Sequence, residues 1–521
     1  MGLLLQHLKQ YRKLLLYFII MLFALGKVPA STILYLPYLN HLAQAGIEVE
    51  QNWFKAAALG DTQATESLIK HATQHRQLYW LTLLAERDNA EAQYQLAMMT
   101  DDKHLRRTML HSAAEKNHLE ALFEIGQSSR DSASKIQAFS RAAGLEHKPS
   151  QYALYQWYWL QGEYEQALPW LALYAEQHGE SALILARYLW KMKRYDESKQ
   201  WFLRAEHLGE QNAKQYQRLI RDYWRKPLKV VQPPVPASLE YCAVRLQFLA
   251  TGLESMRQAE HFKHRFHQDK RLASLPICIN QPLWMNNKQL PCQHHAINRN
   301  RITCEVGQLA NYFKPQDFSH IVIFTEQGKA NVNNGIMYLD LADQYSVFVH
   351  ELAHFAGFVD EYPLSEKLAE HICVPDADHP NILVQVPDND SAQSKPVSDE
   401  MTENGVPQDV ETQEQDSGSK TPNLAYWQQF GEDLSLTRAR TCNNHVNKAY
   451  KLSGRLTFME FHDQEYIPPL YLKVWRQRLQ SPGYLVPASL NIAHALEDQG
   501  DFSRAEIWRQ HFIQFRQQGL Q

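Results

Sequence analysis

The sequence predicts a multidomain protein in which an all-α solenoid of helical repeats is followed by an α+β domain. Between residues 50 and 225, short alanine-rich segments recur about every 30 residues, a period typical of helical repeats. Residues 240–480 instead contain apolar runs of strand length and all six cysteines. At 521 residues, with 44% hydrophobic and 21% charged residues, the chain can form more than one core of a globular protein.

The first 30 residues are predicted to be a signal peptide. Three basic residues (Lys9, Arg12 and Lys13) precede the apolar run from Leu14 to Gly26, and small residues end at Ala30. The run is shorter than the roughly 20 residues that span a membrane. We therefore expect cleavage after Ala30 and a periplasmic or secreted protein. The alternative is an uncleaved inner-membrane anchor, with the chain facing the periplasm.

The repeats occupy residues 50–225. Their recurring segments are Ala56–Asp61, Leu84–Asp88, Ser112–Asn117, Arg141–Gly144, Tyr174–Gly179 and Arg204–Gly209. Apolar residues at helical spacing lie between these segments, so each unit is predicted to be a helical hairpin that packs on its neighbours. The units resemble Sel-type and tetratricopeptide repeats, which implies a binding surface for a protein partner. Alternatively, the repeats only support the domain that follows.

A proline-rich linker at residues 226–239 separates the repeats from the α+β domain, which we place at residues 240–480. Its predicted elements are strands at Cys242–Leu249, Ile321–Phe324 and Gly335–Leu341 and helices at Glu254–Leu272 and Ala342–Phe355. Phe262 and Phe266 should lie on the buried face of the first helix. Three histidines on that helix (His261, His264 and His267) sweep across its surface and are expected to be solvated.

The second helix carries the pattern that points to chemistry. His350 and His354 are four residues apart, so both imidazoles project from one helix face and can bind one metal ion. Glu351 lies beside them as a candidate general base. Gly357 can end the helix in a left-handed conformation and bring Asp360 round as a third ligand. Three protein ligands leave a position for water on a tetrahedral Zn2+, as in catalytic sites. The alternative is an amphipathic helix with a glycine cap.

This arrangement of strand, turn, strand and helix resembles the metzincin zinc endopeptidases, and the aspartate ligand is found in snapalysin-type members. The segment Leu456–Asp463 is similar to the methionine turn of that family, especially of pappalysin-like members. The resemblance implies that Met459 forms a hydrophobic floor under the imidazoles, although alone it could be an ordinary core methionine. It also implies that an edge strand near Ile336–Leu339 binds an extended substrate.

The six cysteines are predicted to form disulfides, because their number is even and they follow a secretory signal. They are Cys242, Cys278, Cys292, Cys304, Cys373 and Cys442. A cysteine zinc site is excluded by the lack of any Cys-x-x-Cys pair. The spacing does not select one pairing. We favour Cys373–Cys442 and Cys292–Cys304.

Two further segments complete the chain. Residues 375–423 contain 11 acidic and two basic residues with few aromatics, a composition that predicts a disordered insertion. Residues 483–521 are predicted to form one more helical hairpin of the repeat type.

These observations predict a zinc metalloendopeptidase of the cell envelope or outside the cell, with a protein or peptide substrate and repeats that recruit a partner. Nucleic acid is not expected, since the net charge is −4 and no basic motif stands out. One alternative is a non-catalytic interaction protein with a vestigial zinc domain. Another is a zinc hydrolase that acts on peptidoglycan peptides. Contact with a membrane is expected only if the N-terminal segment remains uncleaved.

Overall fold

The computed structural model describes residues 30–236, 239–294, 301–375, 377–385 and 436–518. The predicted signal peptide therefore lies outside the described residues, except for Ala30. Residues 30–518 divide into two units, which meet between Ala213 and Lys214.

The first unit consists of helices joined by short turns. They are α1 (Ala30–Gln44), α2 (Val49–Ala58), α3 (Thr62–Gln74), α4 (Leu78–Glu86), α5 (Ala90–Met99), α6 (Lys103–Glu115), α7 (Leu119–Ser128), α8 (Ser132–Gly144), α9 (Lys148–Leu160), α10 (Tyr164–Ala175), α11 (Gly179–Lys191) and α12 (Tyr195–His207). Buried alanines such as Ala113, Ala142 and Ala182 let neighbouring helices approach closely. Successive small hydrophobic clusters follow the chain, which is typical of a solenoid. The prediction of helical repeats is confirmed.

The second unit begins at Lys214, within α13 (Gln211–Tyr223), and contains an α+β core. Its further helices are α14 (Leu253–Gln268), α15 (Tyr345–His354), α16 (Glu366–Ile372), α17 (Pro469–Gln480), α18 (Ala488–Asp498) and α19 (Phe502–Gln517). The strands are β1 (Val244–Ala250), β2 (Ile277–Ile279), β3 (Leu283–Trp284), β4 (Cys292–His294), β5 (Ile302–Cys304), β6 (His320–Phe324), β7 (Asn331–Asn333), β8 (Ile336–Leu339), β9 (Ile382–Gln385), β10 (Thr437–Ala439) and β11 (Lys448–Lys451).

The main sheet has the order β2-β1-β6-β8-β7, and β3 also pairs with β1. Only β7 runs antiparallel to its neighbour in this sheet, within the described residues. Phe248 and Phe324 on one face pack with Phe262 of α14 and Phe348 of α15. This packing fixes α15, which carries the histidine motif, against the sheet.

The opposite face of the sheet is covered by the hairpin of α18 and α19. Ile321 and Ile323 of β6 share a core cluster with Ile492 of α18 and Trp508 of α19. The predicted hairpin therefore exists. However, it belongs to the core of the α+β unit and is not a separate repeat, because its apolar face is buried on the sheet.

The structure corrects three further predictions. Strand β8 is not an edge strand, because β7 pairs with it from Asn331–Tyr338 to Asn333–Ile336. The boundary between the units falls within the last repeat helix, α13, between Ala213 and Lys214, and therefore precedes the predicted linker at residues 226–239. Tyr216 and Tyr223 of α13 donate hydrogen bonds to Glu254 (2.8 Å) and Glu260 (2.6 Å) of α14.

The third correction concerns residues 375–423. Strand β9 lies within this range and pairs with β11, which also pairs with β10. Ile382, Leu383 and Val384 of β9 are buried. The prediction of disorder is therefore wrong for residues 377–385. The three apolar side chains of β9 are buried in a sheet whose other strands lie more than 50 residues further along the chain, so the local composition does not reveal this burial. The rest of the range, Asp376 and residues 386–423, lies outside the described residues.

Candidate metal centre

Three predicted ligands, His350, His354 and Asp360, converge at the end of α15. Gly357 adopts φ 82°, and the amides of Gly357 and Phe358 bond back to His354 O (3.0 Å) and Ala353 O (3.3 Å). This left-handed turn reverses the chain, as expected for a glycine cap. Asp360 Oδ1 then lies 3.0 Å from His350 Nε2 and 3.3 Å from His354 Nε2. The three candidate ligand atoms all lie within 4.8 Å of one another.

The hydrogen bonds of the two imidazoles determine the tautomer of each ring, and therefore which nitrogen offers a lone pair to a metal ion. His350 Nδ1 donates to Phe458 O (2.8 Å) and His354 Nδ1 donates to Phe358 O (2.7 Å). A carbonyl oxygen only accepts, so each Nδ1 carries a proton and each neutral ring presents a lone pair at Nε2. Asp360 Oδ1 is buried and has no hydrogen-bond partner among the described residues. Three lone pairs thus point at one another.

A positive charge must lie between these atoms, since a buried carboxylate oxygen without a partner is costly. A proton is one solution. Burial lowers the pKa of His354, but Asp360 outweighs this effect and raises the pKa to about 9. Burial raises the pKa of Asp360, but the two histidines hold it well below its usual range. A divalent cation is the other solution, and two imidazoles with one carboxylate are a donor set that suits zinc. The residues fit that ion.

Glu351 is half-buried and is not among the converging ligands. It has no hydrogen-bond or ion-pair partner among the residues described. Burial raises the pKa of Glu351, while the histidines lower it and Asp360 raises it further. A carboxyl with a raised pKa beside a metal site is suited to accept and return a proton.

The segment around Met459 contacts the candidate site through its backbone carbonyls. Residues Phe458–Glu460 form a turn closed by the bond from Glu460 N to Thr457 O (3.1 Å). Phe458 O accepts a hydrogen bond from His350 Nδ1 (2.8 Å), and Met459 O accepts one from the amide of Glu361 (3.0 Å). Met459 itself is fully buried. The predicted turn is therefore bonded directly to the candidate ligand His350.

A buried polar network around Glu361 was missed by the sequence analysis. Glu361 is completely buried and accepts hydrogen bonds from Thr457 Oγ1 (2.5 Å), Tyr471 OH (2.7 Å) and Asn381 Nδ2 (3.0 Å). Lys451 Nζ lies 3.8 Å from its second oxygen. Burial raises the pKa of Glu361, whereas these bonds lower it. The only signal in the sequence is its position next to Asp360.

Asn381 extends this network to the other side of Asp360. Its Oδ1 accepts the amide of Val359 (2.9 Å) and its Nδ2 donates to Val359 O (2.7 Å). Thr441 Oγ1 also donates to Asp360 O (2.8 Å). The backbone on both sides of the candidate ligand is therefore fixed by side chains that lie far away in sequence.

Two more residues near the ligands were not singled out by the sequence analysis. Tyr362 is 40% exposed and lies beside Asp360; burial and the charge of Asp360 raise the pKa of this tyrosine. The charge of Arg301 acts on Glu351 and on Tyr362.

The six cysteines form three disulfides, Cys242–Cys278, Cys292–Cys304 and Cys373–Cys442. The two favoured pairings are confirmed. Disulfides are typical of proteins in oxidising compartments outside the cytoplasm. In the part of the chain that the structure describes, no helix has the length and apolar character needed to cross a membrane.

The solved structures that match part of this chain include two repeat proteins. One is a protective antigen present in uropathogenic Escherichia coli strains that displays an SLR fold, with 19% identity, a TM-score of 0.27 and coverage of 33% of this chain and 44% of that chain. The other is a Sel1 repeat protein from Oxalobacter formigenes, with 17% identity, a TM-score of 0.26 and coverage of 36% and 90%. The chain thus spans less than half the length of the first protein. No family model and no curated protein matches the chain.

Proposed function

We propose that this protein is a zinc-dependent metallopeptidase of the metzincin type, located in the periplasm or outside the cell. The observation that carries the proposal is the buried Asp360 Oδ1, which faces two imidazole lone pairs at 3.0 and 3.3 Å and has no hydrogen-bond donor among the described residues. His350, His354 and Asp360 would hold the zinc. Zinc, when bound, would polarise the scissile carbonyl and make water more acidic.

The chain's own residues would perform the proton transfers. Glu351 lies next to His350 on α15 and has no competing partner among the described residues, so its carboxylate is free to accept the proton of the attacking water. The same carboxyl would then deliver a proton to the leaving amine. Phe458 O and Phe358 O hold both imidazoles in the orientation that presents Nε2 to the metal.

The repeats would recruit a protein partner or the substrate. A groove of about 470 Å³ in the first unit supports this part of the proposal. The rings of Phe123, Tyr152 and Tyr174 line it together with the amides of Gln127 and Gln156. Aromatic and amide side chains offer contact area and hydrogen bonds to an extended peptide.

Metal analysis combined with one substitution tests the enzyme. The purified protein should contain about one zinc per chain, and a His350→Ala, His354→Ala double variant should contain none. Glu351→Gln should keep the zinc but lose at least ~10²-fold in hydrolysis of unstructured protein, because an amide cannot accept the proton. Glu366→Gln, an exposed substitution on α16, is the matched control and should behave as wild type.

Absence of zinc, or activity of Glu351→Gln within a few-fold of wild type, would reject the proposal. Digestion of purified cell wall in parallel separates a peptidase for proteins from one that acts on peptidoglycan peptides.

A further inference from the structure

Two phenylalanines supply the carbonyl groups that hold the histidine ligands. Phe458 O accepts from His350 Nδ1 (2.8 Å), and Phe358 O accepts from His354 Nδ1 (2.7 Å). Neither phenylalanine lies in a helix or a strand, since Phe358 follows the end of α15 and Phe458 belongs to a turn. The direction of each carbonyl is therefore not set by regular secondary structure, and the packing of the two rings contributes to it.

Both phenylalanine rings pack against the indole of Trp475 on α17. The centroid of the Phe458 ring lies 5.8 Å from that of the indole, with an angle of 14° between the planes. The Phe358 ring lies 5.6 Å from the indole at 50°, and the two phenylalanine rings are 6.5 Å apart. All three side chains are 2% exposed or less. One buried indole thus connects two carbonyl groups that are far apart in the chain.

The indole is not held in this place by a hydrogen bond. Trp475 Nε1 is buried and has no hydrogen-bond partner among the described residues. A buried N–H group without a partner costs free energy, so the contacts of the flat ring have to outweigh that cost. Trp475 therefore acts through its aromatic face, and the side chain of phenylalanine can provide the same kind of contact.

The same side of α17 also reaches the surroundings of the third ligand. Tyr471 lies four residues before Trp475, so both side chains project from one side of the helix. The ring of Tyr471 lies 5.7 Å from that of Phe358, and its hydroxyl donates to Glu361 Oε1 (2.7 Å), next to Asp360 in the chain. Helix α17 thus contacts residues that adjoin or bind all three candidate ligands.

We infer that Trp475 is a positioning residue of the metal centre, which fixes the orientation of both histidine ligands through the rings of Phe358 and Phe458. The inference rests on the proposed function, because it concerns the same zinc site. Residues that orient metal ligands typically contribute about 10- to 100-fold to metal affinity. Trp475 acts through the two phenylalanines, so the lower end of this range is expected.

Zinc titration of three variants tests this role. Trp475→Leu keeps an apolar side chain in the core but removes the flat ring, so zinc affinity should fall by roughly 10-fold. Trp475→Phe keeps an aromatic face and should bind zinc within a few-fold of wild type. Trp508→Leu is the matched control, because Trp508 is 3% exposed and packs on the opposite face of the sheet. It should lower the melting temperature about as much as Trp475→Leu and leave zinc affinity unchanged.

The visible spectrum of bound Co2+ reports the ligand geometry of the same proteins without any need for hydrolysis. Trp475→Leu should alter this spectrum, whereas Trp475→Phe and Trp508→Leu should match wild type. If Trp475→Leu is too unstable to titrate, Phe458→Leu provides the same test, since it keeps the backbone carbonyl and removes the stacked ring.

Wild-type zinc affinity and cobalt spectrum in Trp475→Leu or Phe458→Leu, or an equal loss of affinity in Trp508→Leu, would overturn the inference and leave the peptidase proposal in place. A wild-type protein that binds no zinc would reject the proposed function and this inference together.

Discussion

The position of Asp360 is fixed mainly by hydrogen bonds to its two neighbours in the chain, Val359 and Glu361. Asn381 binds both polar groups of the Val359 peptide, and Glu361 is held by Thr457, Tyr471 and Asn381. The carboxylate between them keeps one oxygen directed at His350 and His354. Such preorganisation favours metal binding, because the ligands need little rearrangement to accept the ion.

Asn381→Ala tests this role. It leaves the amide and carbonyl of Val359 without their partner, at about 1–3 kcal/mol for each unsatisfied group, and removes one of the two hydrogen bonds to Glu361 Oε1, which keeps that from Tyr471. We expect the free energy of unfolding of the zinc-free protein to fall by at least ~2 kcal/mol and zinc affinity to fall by about 10-fold or more. Asn491→Ala removes an exposed hydrogen bond to Asn333 O and should change both quantities little. Denaturant unfolding and zinc titration measure them. An unchanged zinc affinity would show that Asn381 does not position Asp360.

At the scale of single elements, the sequence predicts those whose pattern is local. The apolar runs of β1, β6 and β8 and the periodicity of α14 and α15 predict their type and approximate bounds. The spacing of His350, His354, Gly357 and Asp360 likewise predicts which ligands meet, because one helix and one turn connect them. His261, His264 and His267 are exposed as predicted.

Elements that depend on distant pairing could not be predicted in this way. Strand β7 has only the polar residues Asn331 and Asn333 around Val332, which indicate a turn, yet it is paired with β8. Strands β9, β10 and β11 contain three or four residues each and are stabilised by one another and by Cys373–Cys442. Asn381 and Tyr471 are ordinary polar residues in the sequence, and only their burial around Glu361 shows their role.

Two deletions test the revised limits of the insertion. Removal of Asp376–Thr421 takes away β9 and Asn381, and each buried aliphatic side chain there contributes about 1.5–3 kcal/mol. The melting temperature should fall by roughly 10 °C or more, since ~1 kcal/mol corresponds to about 2–4 °C in a domain of this size. Removal of Ser391–Thr421 alone should change it little, because this stretch is acidic and poor in aromatics. Calorimetry of both variants decides the matter. Equal melting temperatures of the two deletion variants would contradict a stabilising role of β9.

At the scale of the whole molecule, the division between the two units does not coincide with the change in sequence pattern. Helix α13 follows the helical repeats in pattern, but from Lys214 onward it belongs to the α+β unit. There it binds α14 through Tyr216, Tyr223 and Arg218. Leu228 and Val230 of the linker pack against the core cluster between the sheet and the C-terminal hairpin. Proline content indicates a linker, but it does not show which core the flanking residues join.

A pair of fragments tests whether the α+β unit functions without the solenoid. A fragment that begins at Glu210 retains all of α13 and should be soluble, hold about one zinc and cleave a generic peptide at a rate within a few-fold of the full chain, because its core is complete. A fragment that begins at Ala237 lacks α13, Leu228 and Val230, so it exposes apolar surface of the core and should aggregate or melt at a lower temperature.

If the repeats recruit a partner, the Glu210 fragment should also lose its preference for that partner while its turnover of the generic peptide persists. Melting curves, zinc content, peptide turnover and partner pull-down measure these outcomes. Equal stability of both fragments would show that α13 and the linker add nothing to the α+β core, and full partner binding by the Glu210 fragment would contradict recruitment by the repeats.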